Sequence, residues 1–146
     1  LVQFDAVPEA VVENLDRMRH WVLEARRSGA RWIMFHEGTV CDYTPRLATY
    51  AEAVPDGQST RAMARLAQEH DCTISFGLSE TDDGKYFIAQ VFVGPEGLVH
   101  RCRKSWLWRT AEDKGYRNEW ARYDPGASTA ARAENPMSNT MIRALA

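Results

Sequence analysis

The chain has no apolar run approaching the roughly 20 residues that a membrane-spanning helix needs, so an integral membrane protein is not expected. It has little excess charge: the formal net charge is -2, and Lys and Arg are spread along the chain. That balance leaves no electrostatic footprint for nucleic acid or an anionic membrane. Cysteine is scarce as well, and the three present, Cys41, Cys72 and Cys102, fall in no CxxC or Cys/His ligand spacing. Neither a disulfide framework nor a zinc site is indicated. The glycines form neither GxGxxG nor GxxxxGK[ST], which leaves nucleotide-binding readings without an anchor. No basic stretch followed by an apolar one opens the chain, although it begins on Leu1 and residues could precede it, and the cytoplasm is the default location. What remains is a chain of 146 residues, 45% hydrophobic, with the length and apolar content to build one globular core.

The spacing of those apolar residues predicts an α/β order. Residues 1–6 read as the end of a strand, and Pro8 opens a helical segment in which Val11, Leu15, Met18, Val22 and Ala25 recur every three or four positions. Arg26 and Arg27 followed by Gly29 mark its end, and residues 31–35 supply a strand. A short helix is expected at residues 47–50. Val54-Pro55-Asp56-Gly57 is turn chemistry leading to a helix with Met63, Leu66 and Ala67 on one side, closed by His70-Asp71. Strands at residues 72–78, 86–93 and 98–103 follow, separated by Asp82-Asp83-Gly84 and Gly94-Pro95-Glu96-Gly97 turns, and the last two should pair as a hairpin. This order predicts a mixed sheet with too few helices to cover both faces. Beyond Gly126 the chain turns Ala-, Ser- and Asn-rich, so residues 127–146 read as a weakly structured tail and residues 1–126 as the domain.

Candidate chemistry gathers at two strand ends. Glu37 closes the most apolar strand, where α/β sheets commonly place functional groups; burial there would raise its pKa towards that of a general base. Position alone favours the plainer alternative, a solvated loop carboxylate or a structural ion pair. Lys104 follows the last strand and precedes Trp106-Leu107-Trp108, a setting in which an ammonium could stabilise negative charge developing in acyl transfer. Taken alone, the cluster of Arg101, Arg103 and Lys104 reads more readily as a solvated strand end. Cys41, a few residues beyond Glu37, is placed to line the same pocket, while nothing brings it together with His36 and His100 as a Cys/His hydrolase. Cys72 and Cys102 read as small buried hydrophobes.

Taken in order, these elements resemble the nitrilase superfamily of carbon–nitrogen hydrolases. The opening matches in Asn14-Leu15, Ala25, Gly29-Ala30 and the strand ending in Glu37. The middle matches in Gly77, Asp83-Gly84, Pro95, Gly97, Arg103-Lys104 and Leu107-Trp108, and Tyr123-Asp124-Pro125-Gly126 resembles the family's aromatic-x-Pro-Gly turn. The resemblance covers residues 1–126 and implies the N-terminal half of a four-layer αββα sandwich. It also implies Glu37 as general base, Lys104 as the residue that stabilises the oxyanion, and Glu119, with Glu112 as a competitor, as a second glutamate that helps position substrate. The implied chemistry is thioester formation on a cysteine with release of amine or ammonia, without metal or organic cofactor, on small amides, nitriles or carbamoyl compounds. Assembly into homo-oligomers, dimers or higher, is implied too.

The sequence departs from the family's pattern in two places: His36 stands where Pro usually precedes the glutamate, and Phe87 where Asn commonly follows the aromatic Tyr86. A larger departure is that no cysteine follows Cys102, so the family's nucleophile is missing and this chain alone is expected to be inactive. Two other readings stand beside this one: a half-sandwich serving only as an interaction or assembly module, and a small complete enzyme using Cys41. Trp106, Trp108 and Trp120 read as core packing before they read as an apolar pocket.

Overall fold

A computed structural model describes residues 1–104. Glu112, Glu119, the three tryptophans from Trp106 onward, the Tyr123-Asp124-Pro125-Gly126 turn and the tail expected at 127–146 lie outside the described residues. Within them the order is α1 (Val11–Arg27), β1 (Trp32–Met34), a 3-10 turn (Leu47–Tyr50), α2 (Gln58–Glu69), β2 (Thr73–Asp82), β3 (Lys85–Gly94) and β4 (Gly97–Arg103). The strands form one sheet in sequence order, β1 parallel to β2 and the rest antiparallel. This is the mixed α/β sheet that the hydrophobic spacing predicts.

Helix α1 buries Leu15, Met18 and Val22, and α2 buries Met63, Leu66 and Ala67. Both stripes enter one core with Ile33, Ile74, Phe76, Leu78, Ala89, Val91 and Val93. Because side chains alternate along a strand, Ile74, Phe76 and Leu78 of β2 and Ala89, Val91 and Val93 of β3 share the helix-packed face. Ser75, Gly77, Ser79, Ile88 and Gln90 therefore project to the opposite face.

Three expectations need correcting. Residues 1–6 alternate in burial like a strand, yet no strand is assigned there; the Val2 N–H bonds the Met34 carbonyl at 2.8 Å. Strand β1 itself stops at Met34, because after Phe35, whose N–H still bonds the Ser75 carbonyl at 2.8 Å, the chain turns away into a loop. Cys102 is exposed, since β4 carries it on the face away from the helices, while Cys72 is buried as expected.

The loop after Phe35 is held against the sheet by polar groups that are themselves buried. The Asn14 side chain is fully buried; it donates to the Val7 carbonyl at 2.8 Å and the Val40 carbonyl at 3.1 Å, and accepts from the Val7 N–H at 2.8 Å. One amide thus ties α1 to the segments before and after β1, leaving none of its hydrogen-bonding groups in conflict with burial. Gln90 reaches across from β3 and donates to the Ser75 hydroxyl at 2.8 Å and the Phe35 carbonyl at 3.3 Å.

Contact is closest at Gly77. A Cβ there would lie 2.4 Å from the Gly38 nitrogen and 2.7 Å from the Glu37 Cα, so only glycine lets the loop backbone approach β2 this closely. Replacing Gly77 by Ala is expected to cost about 1–3 kcal/mol, the usual range for overpacking a site whose neighbours are backbone. Chemical denaturation of the protein carrying this chain would measure it, and an unchanged midpoint would show that the loop does not rest on β2 in this way.

Candidate functional site

Two geometric facts place Glu37. The parallel pairing of β1 with β2 delivers the chain to the C-terminal end of β1, and the loop beyond it then crosses Gly77 on the face away from the helices. Gly38 (φ 76°) and Asp42 (φ 53°) both adopt the left-handed region, and the N–H groups of Cys41 and Asp42 bond the Gly38 carbonyl at 3.2 and 2.7 Å. This tight turn brings Tyr43 back so that its hydroxyl donates to Glu37 Oε1.

Lys104 reaches the same carboxylate from the other edge of the sheet. Arg103 pairs with Ala89 and faces the helices, so Lys104, one residue on, emerges on the opposite face; its N–H bonds the Ile88 carbonyl at 2.7 Å. Its Nζ lies 2.8 Å from Glu37 Oε1. The two residues are 67 positions apart in the chain, and the sheet brings them into hydrogen-bond contact.

The electrostatics correct one expectation. Desolvation does push the Glu37 carboxyl up, as a strand-end position suggests. Hydrogen bonds from Lys104 and Tyr43 and the Lys104 charge together outweigh it, holding the group below the ordinary carboxylate value of 4.5. Glu37 keeps two-fifths of its side-chain surface exposed, which limits the desolvation that would have raised it. The carboxylate is accordingly ionised near neutral pH, able to accept a proton and already facing a cation.

The remaining candidates separate from this pair. Cys41 is fully buried in a small cluster with Leu47 and Ile88, where desolvation and the negative charges of Asp42, Glu52 and Glu9 push its thiol up to about 12. A thiol so disfavoured as thiolate is a poor nucleophile, and the turn presents Tyr43 rather than Cys41 to Glu37. His36 stacks edge-on against Phe4, with ring centroids 5.5 Å apart. His100 lies against Phe92 on the sheet, with centroids 6.0 Å apart. The basic cluster at the end of β4 is not simply solvated: Arg101 and Arg103 bind Glu80, and Lys104 binds Glu37. Among the described residues no group of three or more His, Cys, Asp or Glu side chains is arranged to hold a metal ion, and no helix is long and apolar enough to cross a membrane.

Sequence reading left Tyr43 without a role at Glu37 and Glu80 unmentioned. A signal for the first existed in Gly38 and Asp42, residue types that accept left-handed backbone and so permit the chain to double back. The second had none, because a glutamate near the end of a strand looks solvated until its partners are placed.

Comparison with known proteins places the chain in a family. The family pattern described as Carbon-nitrogen hydrolase matches residues 1–132. Among curated relatives, a cyanide hydratase of Aspergillus niger is 30% identical over 105 residues, covering 61% of this chain and 30% of that protein. A cyanide hydratase of Gibberella zeae is 26% identical, covering 58% and 28%, and a nitrilase of Pyrococcus abyssi is 24% identical, covering 66% and 38%. The chain thus spans well under half the length of these relatives. In solved structures the fold recurs in a Saccharomyces cerevisiae member of the nitrilase superfamily, with a TM-score of 0.71 at 18% identity, covering 82% of this chain and 46% of that one. It recurs also in an N-terminal amidase bound to an Asn-Glu-Ala peptide, with a TM-score of 0.63 at 20% identity, covering 75% and 28%. With the family pattern running across most of its length, this chain belongs to the carbon-nitrogen hydrolase family.

Proposed function

We propose that the protein carrying this chain hydrolyses a carbon–nitrogen bond in a small non-peptide amide, nitrile or N-carbamoyl compound, with Glu37 as general base and Lys104 as the oxyanion-stabilising residue. The observation that carries the reading is the 2.8 Å contact between Lys104 Nζ and Glu37 Oε1 in a chain of this family. Relatives named cyanide hydratase and nitrilase support nitrile chemistry within that class.

The pair supplies two of the three parts that amide cleavage by a thiol needs. Glu37 accepts the thiol proton as sulfur attacks the carbonyl carbon, and the carbonyl oxygen takes up the displaced electron pair. Lys104 donates a hydrogen bond to that oxygen, which lowers the energy of the tetrahedral intermediate. As the C–N bond breaks, Glu37 returns its proton to the leaving nitrogen and a thioester remains. Water then attacks the thioester with Glu37 again taking a proton, and the acid and thiol are released.

The third part, the nucleophile, is assigned to a cysteine other than Cys41, Cys72 and Cys102, so the 146-residue chain by itself is proposed to be inactive. Burial raises the pKa of the Cys41 and Cys72 thiols, and of the three cysteines only Cys41 lies near the Glu37 loop. Glu119 is proposed as a second glutamate positioning substrate. Homo-oligomeric assembly, a cytoplasmic setting and chemistry without a cofactor belong to the same proposal.

In the active protein, Glu37→Gln and Lys104→Ala are each expected to lower amine or ammonia release by about 10²–10³-fold. Near-normal turnover by either variant removes that residue from the catalytic set. Iodoacetamide applied to the native protein should leave Cys41 unmodified, with Cys41 labelled only after denaturation; selective native labelling of Cys41 would restore it as a nucleophile.

A further inference from the structure

The helix-packed face of the sheet carries a second ionic group, which includes Arg103, the residue before Lys104. Glu80 near the end of β2 is fully buried. Its Oε1 accepts from Arg101 at 2.5 Å and from Arg103 at 2.7 Å, and its Oε2 accepts from Arg103 Nε at 2.8 Å. Arg103 also donates to Asp82 at 2.5 Å, and its guanidinium lies 3.8 Å from the centre of the Phe87 ring. Arg103 is thus clamped by a two-point fork, a second carboxylate and an aromatic face.

We propose that Glu80 is a positioning residue for Lys104: by fixing the Arg103 fork on the helix-packed face, it sets the strand so that the next residue projects from the other face onto Glu37. The inference rests on the catalytic reading of that pair given above.

Three observations converge on it. Arg103 and Lys104 are adjacent, so strand alternation makes the direction of one the reverse of the other. Lys104 lies one residue past the end of β4, where a strand loses its ladder, and the bond from its N–H to Ile88 holds its nitrogen without fixing the side chain's azimuth. Finally, the energetics of burial argue against a purely stabilising role. A carboxylate taken wholly out of water gains little over a well-packed apolar side chain, even when paired. What it adds is direction, since the guanidinium fork meets a carboxylate in one plane and one register. Ala89, the small residue between Leu78 and Arg103 in the paired strands, leaves room for that reach across β3.

The test follows the Glu37 carboxyl, which among the described residues bonds Lys104 and Tyr43, through its titration in the intact protein. Glutamate labelled at the carboxyl carbon reports it by NMR, with Glu37→Gln assigning the resonance. In the unaltered protein the midpoint should lie below the ordinary carboxylate value, and Lys104→Ala should move it up. Glu80→Gln and Arg103→Lys should also move it up, because a displaced ammonium no longer favours the ionised form. Arg103→Lys keeps the charge at a side chain that is a quarter exposed, so it carries the test if Glu80→Gln fails to fold. Met63→Ala, a core change on the buried side of α2, should lower the unfolding midpoint without moving the Glu37 titration.

An upward shift in Arg103→Lys, absent in Met63→Ala, supports the positioning role. No shift in Arg103→Lys, or an equal one in Met63→Ala, overturns it while leaving the pair intact. No shift in Lys104→Ala overturns the pair itself, and with it both readings.

Discussion

Everything at the candidate site depends on how closely one loop can approach one strand. The backbone of Glu37 and Gly38 lies where the side chain of residue 77 would be, and β2 yields that space only because the residue is glycine. From this contact the rest follows in order. Glu37 is lifted to the face of the sheet away from the helices, the turn between Gly38 and Asp42 returns Tyr43 to it, and the carboxylate meets Lys104 arriving from β4. Asn14 and Gln90 secure the loop from α1 and β3 by hydrogen bonds to the Val40 and Phe35 carbonyls. The fold thus converts a missing methyl group into the meeting of two charges that are distant in sequence.

The sheet separates two ionic groups of different character. On the face away from the helices, Glu37 and Lys104 are partly open to solvent and Lys104 helps hold the Glu37 carboxyl ionised, which keeps a proton acceptor beside a hydrogen-bond donor. On the helix-packed face, Glu80 is sealed from water and bound by two arginines. Burial at this depth is tolerable only with full pairing, so Arg101 and Arg103 have little freedom to move. Cys41 illustrates the opposite outcome: burial and the nearby carboxylates keep its thiol protonated.

Much of this was legible in the sequence. Three- and four-residue apolar spacing in α1 and α2, the Asp83-Gly84 and Pro95 to Gly97 turns and the short apolar runs between them pointed to the mixed sheet and its last hairpin. Glu37 and Lys104 stood out as polar residues ending apolar strands, and their family resemblance gave them roles. What the sequence did not disclose depends on contacts between distant segments. Solvation and pairing decide the pKa of Glu37, and neither is visible until Lys104 and Tyr43 are placed beside it. Strand alternation alone could not assign Cys102 to an exposed face, because the register of β4 was unknown. Residues 1–6 showed the burial rhythm of a strand without the ladder that would make them one.

A double-mutant cycle tests most directly whether Glu37 and Lys104 act as one unit. Turnover would be compared in the active protein for Glu37→Gln, Lys104→Ala and the two combined. Groups that serve the same transition state through a shared contact lose most of their effect together, so the combined variant should be scarcely slower than the worse single one. Losses that multiply would mean two independent contributions, and the contact that joins them across the sheet would then have no part in the chemistry.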